Sequence, residues 1–180
     1  MTIETLATQG RERVHTGLAG IDIQRLKTMR NEGLRSCFNH LEDTRYRLEF
    51  VARVRGREYI NDAAARTINS TWYSLETLQG GLIWIVDACE VPGDYSRLVP
   101  SALRKVRMLL VVGKTTDLMH HTFRGIIPAI HCCDSMADAL RMAYRYEADD
   151  DVKVVYSPAC YNGRSTNQLG EEFRREVNEL

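Results

Sequence analysis

The chain has 180 residues, 44% hydrophobic and 27% charged, with 24 basic residues balanced by 24 acidic ones. That is the size and mix of one ordinary globular domain, and it excludes a wholly disordered chain. Charge balance also argues against a nonspecific nucleic-acid binder, which carries a basic excess, and no apolar run approaches the roughly 20 residues that span a bilayer.

Residues 1 to 45 are polar and helical in pattern. Met1 to Arg11 has no apolar segment of the kind a secretory signal needs. Ile21, Arg25 and Met29, with Ile23 and Leu26 beside them, form a weak amphipathic stripe near Gly17 and Gly20. The expectation is a helical appendage to the domain that follows. From Tyr46 the period changes. Leu48, Phe50, Ala52 and Val54 alternate with Glu49, Val51, Arg53 and Arg55, Gly56 follows, and Arg57-Glu58-Tyr59-Ile60 returns. This predicts a β-hairpin at a sheet edge.

Short apolar runs come next: Leu82 to Val86, Met108 to Val112, Ile126-Ile127, and Val152 to Tyr156. Three are nearly continuous, as strands covered on both faces are. Between them lie helical stripes, Ile68-Trp72-Leu75, then Met136-Ala139-Leu140-Ala143-Tyr144, then Leu169-Phe173-Val177-Leu180. Strands alternating with helices predict an α/β fold. The sheet is Rossmann-like, open and mostly parallel, with an edge hairpin and helices on both faces. Ligands of such sheets bind beyond the carboxyl ends of the strands. Those ends are Asn61-Asp62, Asp87-Ala88-Cys89, Gly113-Lys114-Thr115 and Ser157-Pro158-Ala159-Cys160. Asp149-Asp150-Asp151 reads as a solvated turn.

Several local patterns carry chemistry elsewhere. Gly113-Lys114-Thr115-Thr116 has the tail of a phosphate-binding loop, but the glycine needed five positions earlier is Met108, so a strand-to-helix turn is expected. His120-His121 and His131-Cys132-Cys133 are runs of adjacent residues with poor chelate spacing, so no metal site is expected. Cys160 would need a base to act as a nucleophile, and the sequence names none. The five cysteines lack Cys-x-x-Cys spacing, which predicts reduced thiols and a cytoplasmic protein. Asn61-Asp62 reads either as a helix cap or as a polar pair facing a cleft.

Many of these blocks together resemble one family. Tyr46-Arg47-Leu48-Glu49-Phe50-Val51-Ala52, Tyr59-Ile60-Asn61-Asp62, Asn69-Ser70-Thr71-Trp72-Tyr73-Ser74-Leu75-Glu76, Ile83-Trp84-Ile85, Gly93-Asp94-Tyr95-Ser96, Ser135-Met136 and Ser157-Pro158-Ala159-Cys160, with Gly170 and Phe173, fall in the right order. They are similar to the C-terminal domain of the Mur ligases, above all the branch that adds D-glutamate to UDP-N-acetylmuramoyl-L-alanine. Residues 1 to 45 resemble the last helices of that family's central domain. The resemblance implies a domain that presents an amino acid to an ATP-activated, nucleotide-linked acid, with the N-terminal and most of the central domain missing.

Three loops depart from the family pattern. After Asn-Asp the family reads Ser-Lys-Ala-Thr-Asn, where this chain has Ala63-Ala64-Ala65-Arg66-Thr67. A Gly-Gly-x-Asp-Lys-Gly loop is replaced by Ala88-Cys89-Glu90 leading through Val91-Pro92-Gly93. Ala-Ser-Phe-Asp after Ser-Pro-Ala-Cys is replaced by Tyr161-Asn162-Gly163-Arg164. The resemblance leaves Arg47, Asn61, Asp62, Asp87 and Ser157 as residual nucleotide- or ligand-facing positions, with Arg47 and Asp62 matching residues that face the nucleotide. Ala63, Ala64, Arg66, Glu90 and Arg164 mark the remodelled loops. Trp72 is expected in the core.

The resulting expectation is a noncatalytic binding or regulatory module with no catalytic residue and no cofactor of its own. Its partner is a protein or a second copy, docked through residues 1 to 45, and neither nucleic acid nor membrane. The alternative is one subunit of a split ATP-dependent amide ligase. In that case another chain supplies the phosphate loop, ATP and Mg²⁺, and Arg66 or Arg164 holds the acid.

Overall fold

A computed structural model describes residues 45–89, 93–114, 117–147 and 151–180. The helical appendage and self-association patch expected in residues 1–44 lie outside the described residues, as do Glu90, Thr115, Thr116, Asp149 and Asp150. The described residues fall within one compact unit, Arg45–Leu180.

Strands β1 (Glu49–Val54) and β2 (Arg57–Asn61) form the expected antiparallel hairpin. Arg55 and Gly56 take φ of 51° and 80° at its turn. Two consecutive left-handed residues give the turn twist that suits right-twisted strands. Then come α1 (Ile68–Thr77), β3 (Gly81–Asp87), a 3₁₀ turn at Tyr95–Leu98 and α2 (Val99–Lys105). They are followed by β4 (Val106–Val112), α3 (Asp117–Phe123), β5 (Ala129–Cys133), α4 (Met136–Arg145), β6 (Val152–Tyr156) and α5 (Thr166–Asn178).

The sheet runs β1-β2-β6-β3-β4-β5, and every pairing except β1 with β2 is parallel. β3 is buried along its whole length, which is why its sequence is an unbroken apolar run. Alternate residues feed two cores. Ile83 and Ile85 pack with α4 and α5, where Tyr156 stacks on Phe173 at 5.6 Å. Leu82, Trp84 and Val86 pack with α1, α2 and α3, where Trp84 meets Phe123 edge-on at 5.6 Å.

Helix ends follow local chemistry. Thr67 with Ser70, and Ser165 with Gln168, form reciprocal capping boxes, and the Ser135 hydroxyl accepts from the Asp138 amide. Lys105 Nζ donates to the carbonyls of Leu75, Glu76 and Leu78 at 2.8, 2.7 and 2.8 Å, satisfying the open end of α1.

Two expectations are corrected. Ile126-Ile127 is not a strand: Ile127 is buried in the turn before Pro128, and the strand pairing begins at Met108 with Ala129. β5 is therefore the edge segment Ala129–Cys133, in which His131 interrupts the apolar residues and only Cys133 is buried. Trp72 is 47% exposed and outside the core. The inner face of α1 is instead Ser70, Thr71, Ser74 and Leu75, because that helix packs over a polar cluster described below.

α5 sits close against the chain entering β1. A Cβ at Gly170 would lie on the Tyr46 ring, 2.5 Å from its Cγ, and the Tyr46 side chain is buried with no room to retreat. Gly170→Ala should lower unfolding stability by about 2 kcal/mol, the cost of overpacking a filled core. A urea midpoint equal to that of the parent would contradict this packing.

Candidate functional site

β2, β6 and β3 lie side by side and point the same way, so Asp62, Ser157 and Asp87 emerge on one edge of the sheet. The ladder runs on past the strands, with the Asp62 amide donating to Tyr156 O at 2.9 Å and the Ser157 amide to Ile85 O at 3.0 Å.

Asp62 is completely buried. Its Oδ1 accepts from the Leu48 amide at 3.2 Å and from Arg47 Nη1 at 3.3 Å, and its Oδ2 accepts from Ser157 Oγ at 3.0 Å. Ser157 Oγ in turn shares a hydrogen bond with Thr71 Oγ1 at 2.9 Å. Arg47 also donates to Ser70 O at 3.3 Å and lies over the Tyr73 ring. Burial pushes the Asp62 carboxyl above its ordinary value, against the pull of Arg47, the Leu48 amide and Ser157. Three of the residues singled out in the sequence thus come together, but as a closed chain of hydrogen bonds. Ser157 is fully buried.

Asn61-Asp62 is neither a helix cap nor an open cleft pair. The cap of α1 is Thr67. Asn61 Nδ2 donates to Gly170 O at 3.1 Å, and its Oδ1 accepts from the Ala63 amide at 3.3 Å. The turn that follows is packed shut: Ala63 and Ala65 are fully buried and Ala64 nearly so. Its backbone is used internally, with Ala64 N donating to Tyr46 O at 3.2 Å and Ala159 N to Ala65 O at 3.0 Å.

A second cluster surrounds Asp87, whose Oδ2 accepts from Tyr156 OH at 2.8 Å and from Asn162 Nδ2 at 2.7 Å. Burial pushes its carboxyl up to about 6, and burial together with that carboxylate raises the Tyr156 phenol well above its usual value. Tyr156 and Asn162 are partners the sequence does not single out; only the Asn-Gly turn at 162–163 carries a local signal. Arg66 stacks on the exposed Tyr161 ring at 4.2 Å and reaches Asn162 Oδ1 at 3.5 Å, while its Nε is buried without a partner. Arg164 pairs with Glu172 at 2.5 Å. Glu90 lies outside the described residues.

The loops after β3 and β6 are joined by a Cys89–Cys160 disulfide, with Cα atoms 6.5 Å apart. This corrects the expectation of wholly reduced thiols: cysteines 71 positions apart meet because their strands are neighbours. Among the described residues, no group of three or more His, Cys, Asp or Glu side chains is placed to hold a metal ion, and no helix is long and apolar enough to cross a membrane.

No family model matches the chain. It is 33% identical over 180 residues to the UDP-N-acetylmuramoylalanine–D-glutamate ligase of Porphyromonas gingivalis, a match covering 98% of this chain and 40% of that protein. The chain spans about two fifths of the length of the curated relatives it matches. Among solved structures, folylpolyglutamate synthase from Thermotoga maritima superposes with a TM-score of 0.53 at 12% identity, over 74% of this chain and 30% of the other. MurF from Acinetobacter baumannii gives 0.51 at 12% identity, over 73% and 31%.

The geometry yields two predictions. Arg47→Met removes the cation from a buried carboxylate and should lower stability by about 3 kcal/mol at neutral pH, the cost of breaking a buried pair from one side; denaturant titration measures it. Asp87 binds its proton more tightly in the folded chain than in the unfolded one. Its stabilising contribution is therefore full below pH 3.8 and is lost as pH rises through about 6. Between pH 7 and pH 4.5 the wild type should gain about 2 kcal/mol relative to Asp87→Asn, from a shift worth about 1.4 kcal/mol per unit. A difference that stays flat with pH would show that Asp87 is not held in this way.

Proposed function

We propose that this chain, a homologue of the C-terminal domains of the Mur ligases, is a noncatalytic binding or regulatory module related to the UDP-N-acetylmuramoylalanine–D-glutamate ligases. One observation carries the reading: among the described residues, the polar groups around Asp62 at the carboxyl edge of the sheet are satisfied within the chain. Arg47, Asp62, Ser157 and Thr71 bond to one another, and the adjoining turn offers only the buried methyl groups of Ala63, Ala64 and Ala65. An amino acid with two carboxylates needs cations and hydroxyls around it, since a buried carboxylate left unpaired is costly. Inside the turn, the only groups offered are those methyls, and the nearest uncommitted cation is Arg66 at its far end. Phosphoryl transfer further requires a phosphate cradle and Mg²⁺ ligands, which on this reading the chain does not provide. The setting is cytoplasmic, and the partner is a protein or a second copy engaged through residues 1–45.

A specific observation keeps the second reading in play. Arg66, with its unpartnered Nε, stands beside exposed Tyr161 at the rim of the same edge. In a split amide ligase, with ATP and the acceptor domains on another chain, that guanidinium would hold the incoming acid.

Native co-purification of the tagged chain, with and without ATP and Mg²⁺, separates the two. A module gives a partner recovered equally in both conditions, with no phosphate release. A phosphate-loop protein recovered more strongly with nucleotide, and an ATP turnover that Arg66→Ala reduces about tenfold, worth about 1.4 kcal/mol, would replace this reading with the split ligase. Arg66 is the residue to test, because replacing Arg47 disturbs the fold itself.

A further inference from the structure

We propose that Cys89 and Cys160 form a reversible thiol–disulfide site that clasps the loop after β3 to the loop after β6. Cys89 stands two residues beyond β3 and Cys160 four beyond β6, on neighbouring parallel strands. Their Cα separation of 6.5 Å lies within the range a disulfide bridges. The proposal does not depend on whether the domain is catalytic.

The site is furnished for both oxidation states. Cys89 Sγ lies 3.7 Å from Tyr161 O, and Cys160 Sγ lies 3.7 Å from Asp87 O. Each sulfur therefore faces a carbonyl of the opposite loop, and a thiol at either position has an acceptor waiting. The same two loops are held a second time by the bond from Asn162 Nδ2 to Asp87 Oδ2 at 2.7 Å, so reduction loosens the junction without dismantling it.

The other described cysteines are poorly placed to compete. Cys132 and Cys133 are neighbours on β5, so their side chains point to opposite faces of the sheet. Cys133 is buried and its thiol is pushed up to about 11. Cys89 is half-buried and reachable, while Cys160 is almost fully buried. Exchange begins with the Cys89 thiolate attacking a low-molecular-weight disulfide such as oxidised glutathione. One glutathione thiol leaves and a mixed disulfide forms on Cys89. The Cys160 thiolate then attacks that sulfur and releases the second glutathione. The protein loses two electrons and two protons, and the oxidant becomes two thiols. A dithiol reductant reverses the sequence. Disulfides in reducing compartments are usually transient and redox-sensing, which fits a pair at a loop junction rather than inside the core.

The test uses the full native chain equilibrated in glutathione buffers from reduced to oxidised, quenched with an alkylating agent and mapped by peptide mass spectrometry. A peptide linked through Cys89 and Cys160 should appear on oxidation and disappear with dithiothreitol without denaturant. Amides of residues 87–89 and 159–164 should exchange with deuterium about fivefold faster in the reduced chain, as local opening becomes easier. Cys89→Ser, at a half-buried position, should keep the fold and show the faster exchange in every buffer. The proposal is overturned if no linked peptide forms, if the link resists dithiothreitol until the chain is unfolded, or if amide exchange is the same in both states.

Discussion

A carboxylate taken completely out of water dictates what surrounds it. Asp62 ends β2, and its two oxygens gather the Leu48 amide, the Arg47 guanidinium and the Ser157 hydroxyl. Those partners come from the entry to β1 and the exit of β6, and Thr71 of α1 joins through Ser157. One buried charge thereby fixes the hairpin, the central strand and the first helix against each other. Such a group is stabilising only while each oxygen is paired, so these elements must arrive together. It also accounts for the polar inner face of α1, and for Trp72 standing outside the core.

The same constraint shapes the chemistry left at the edge. Groups that could otherwise meet a ligand are bound to one another, and the space beside them is filled by the alanine turn. Polar capacity remains farther out, where Arg66, Tyr161 and Arg164 sit on loops supported by Asp87 and Asn162. The inner part of the edge is internally bonded, while its rim is a surface.

The sequence made the sheet legible wherever burial is two-sided. Unbroken runs at Leu82–Val86 and Met108–Val112 exist because both faces of β3 and β4 are covered, whereas the alternation read in β1 is broken by a bulge between Phe50 and Ala52 that leaves Phe50 exposed. The caps of α1, α4 and α5 are Thr67, Ser135 and Ser165, whereas the cap candidate read from the sequence was Asn61-Asp62. β5 was illegible because an edge strand needs no apolar run, and Ile127 took the eye by being buried in a turn instead. Arg47, Asp62 and Ser157 could be singled out by resemblance, yet nothing along the chain says that they bond to each other. Nor does the spacing of Cys89 and Cys160 reveal their meeting. Both depend on strand order, which is a property of the whole sheet.

That strand order has a consequence for biosynthesis. β6 lies between β2 and β3 in the sheet but follows all the other strands along the chain. As the polypeptide leaves the ribosome, the hairpin and the β3-β4-β5 block emerge first, with nothing yet to join them. Until β6 is made, β2 and the largely apolar β3 each present an unpaired edge, and pairings this distant in sequence are slow to close. The nascent chain thus carries a sticky slot from the completion of β3 until β6 is made, and a chaperone that recognises exposed strand edges has its longest opportunity there.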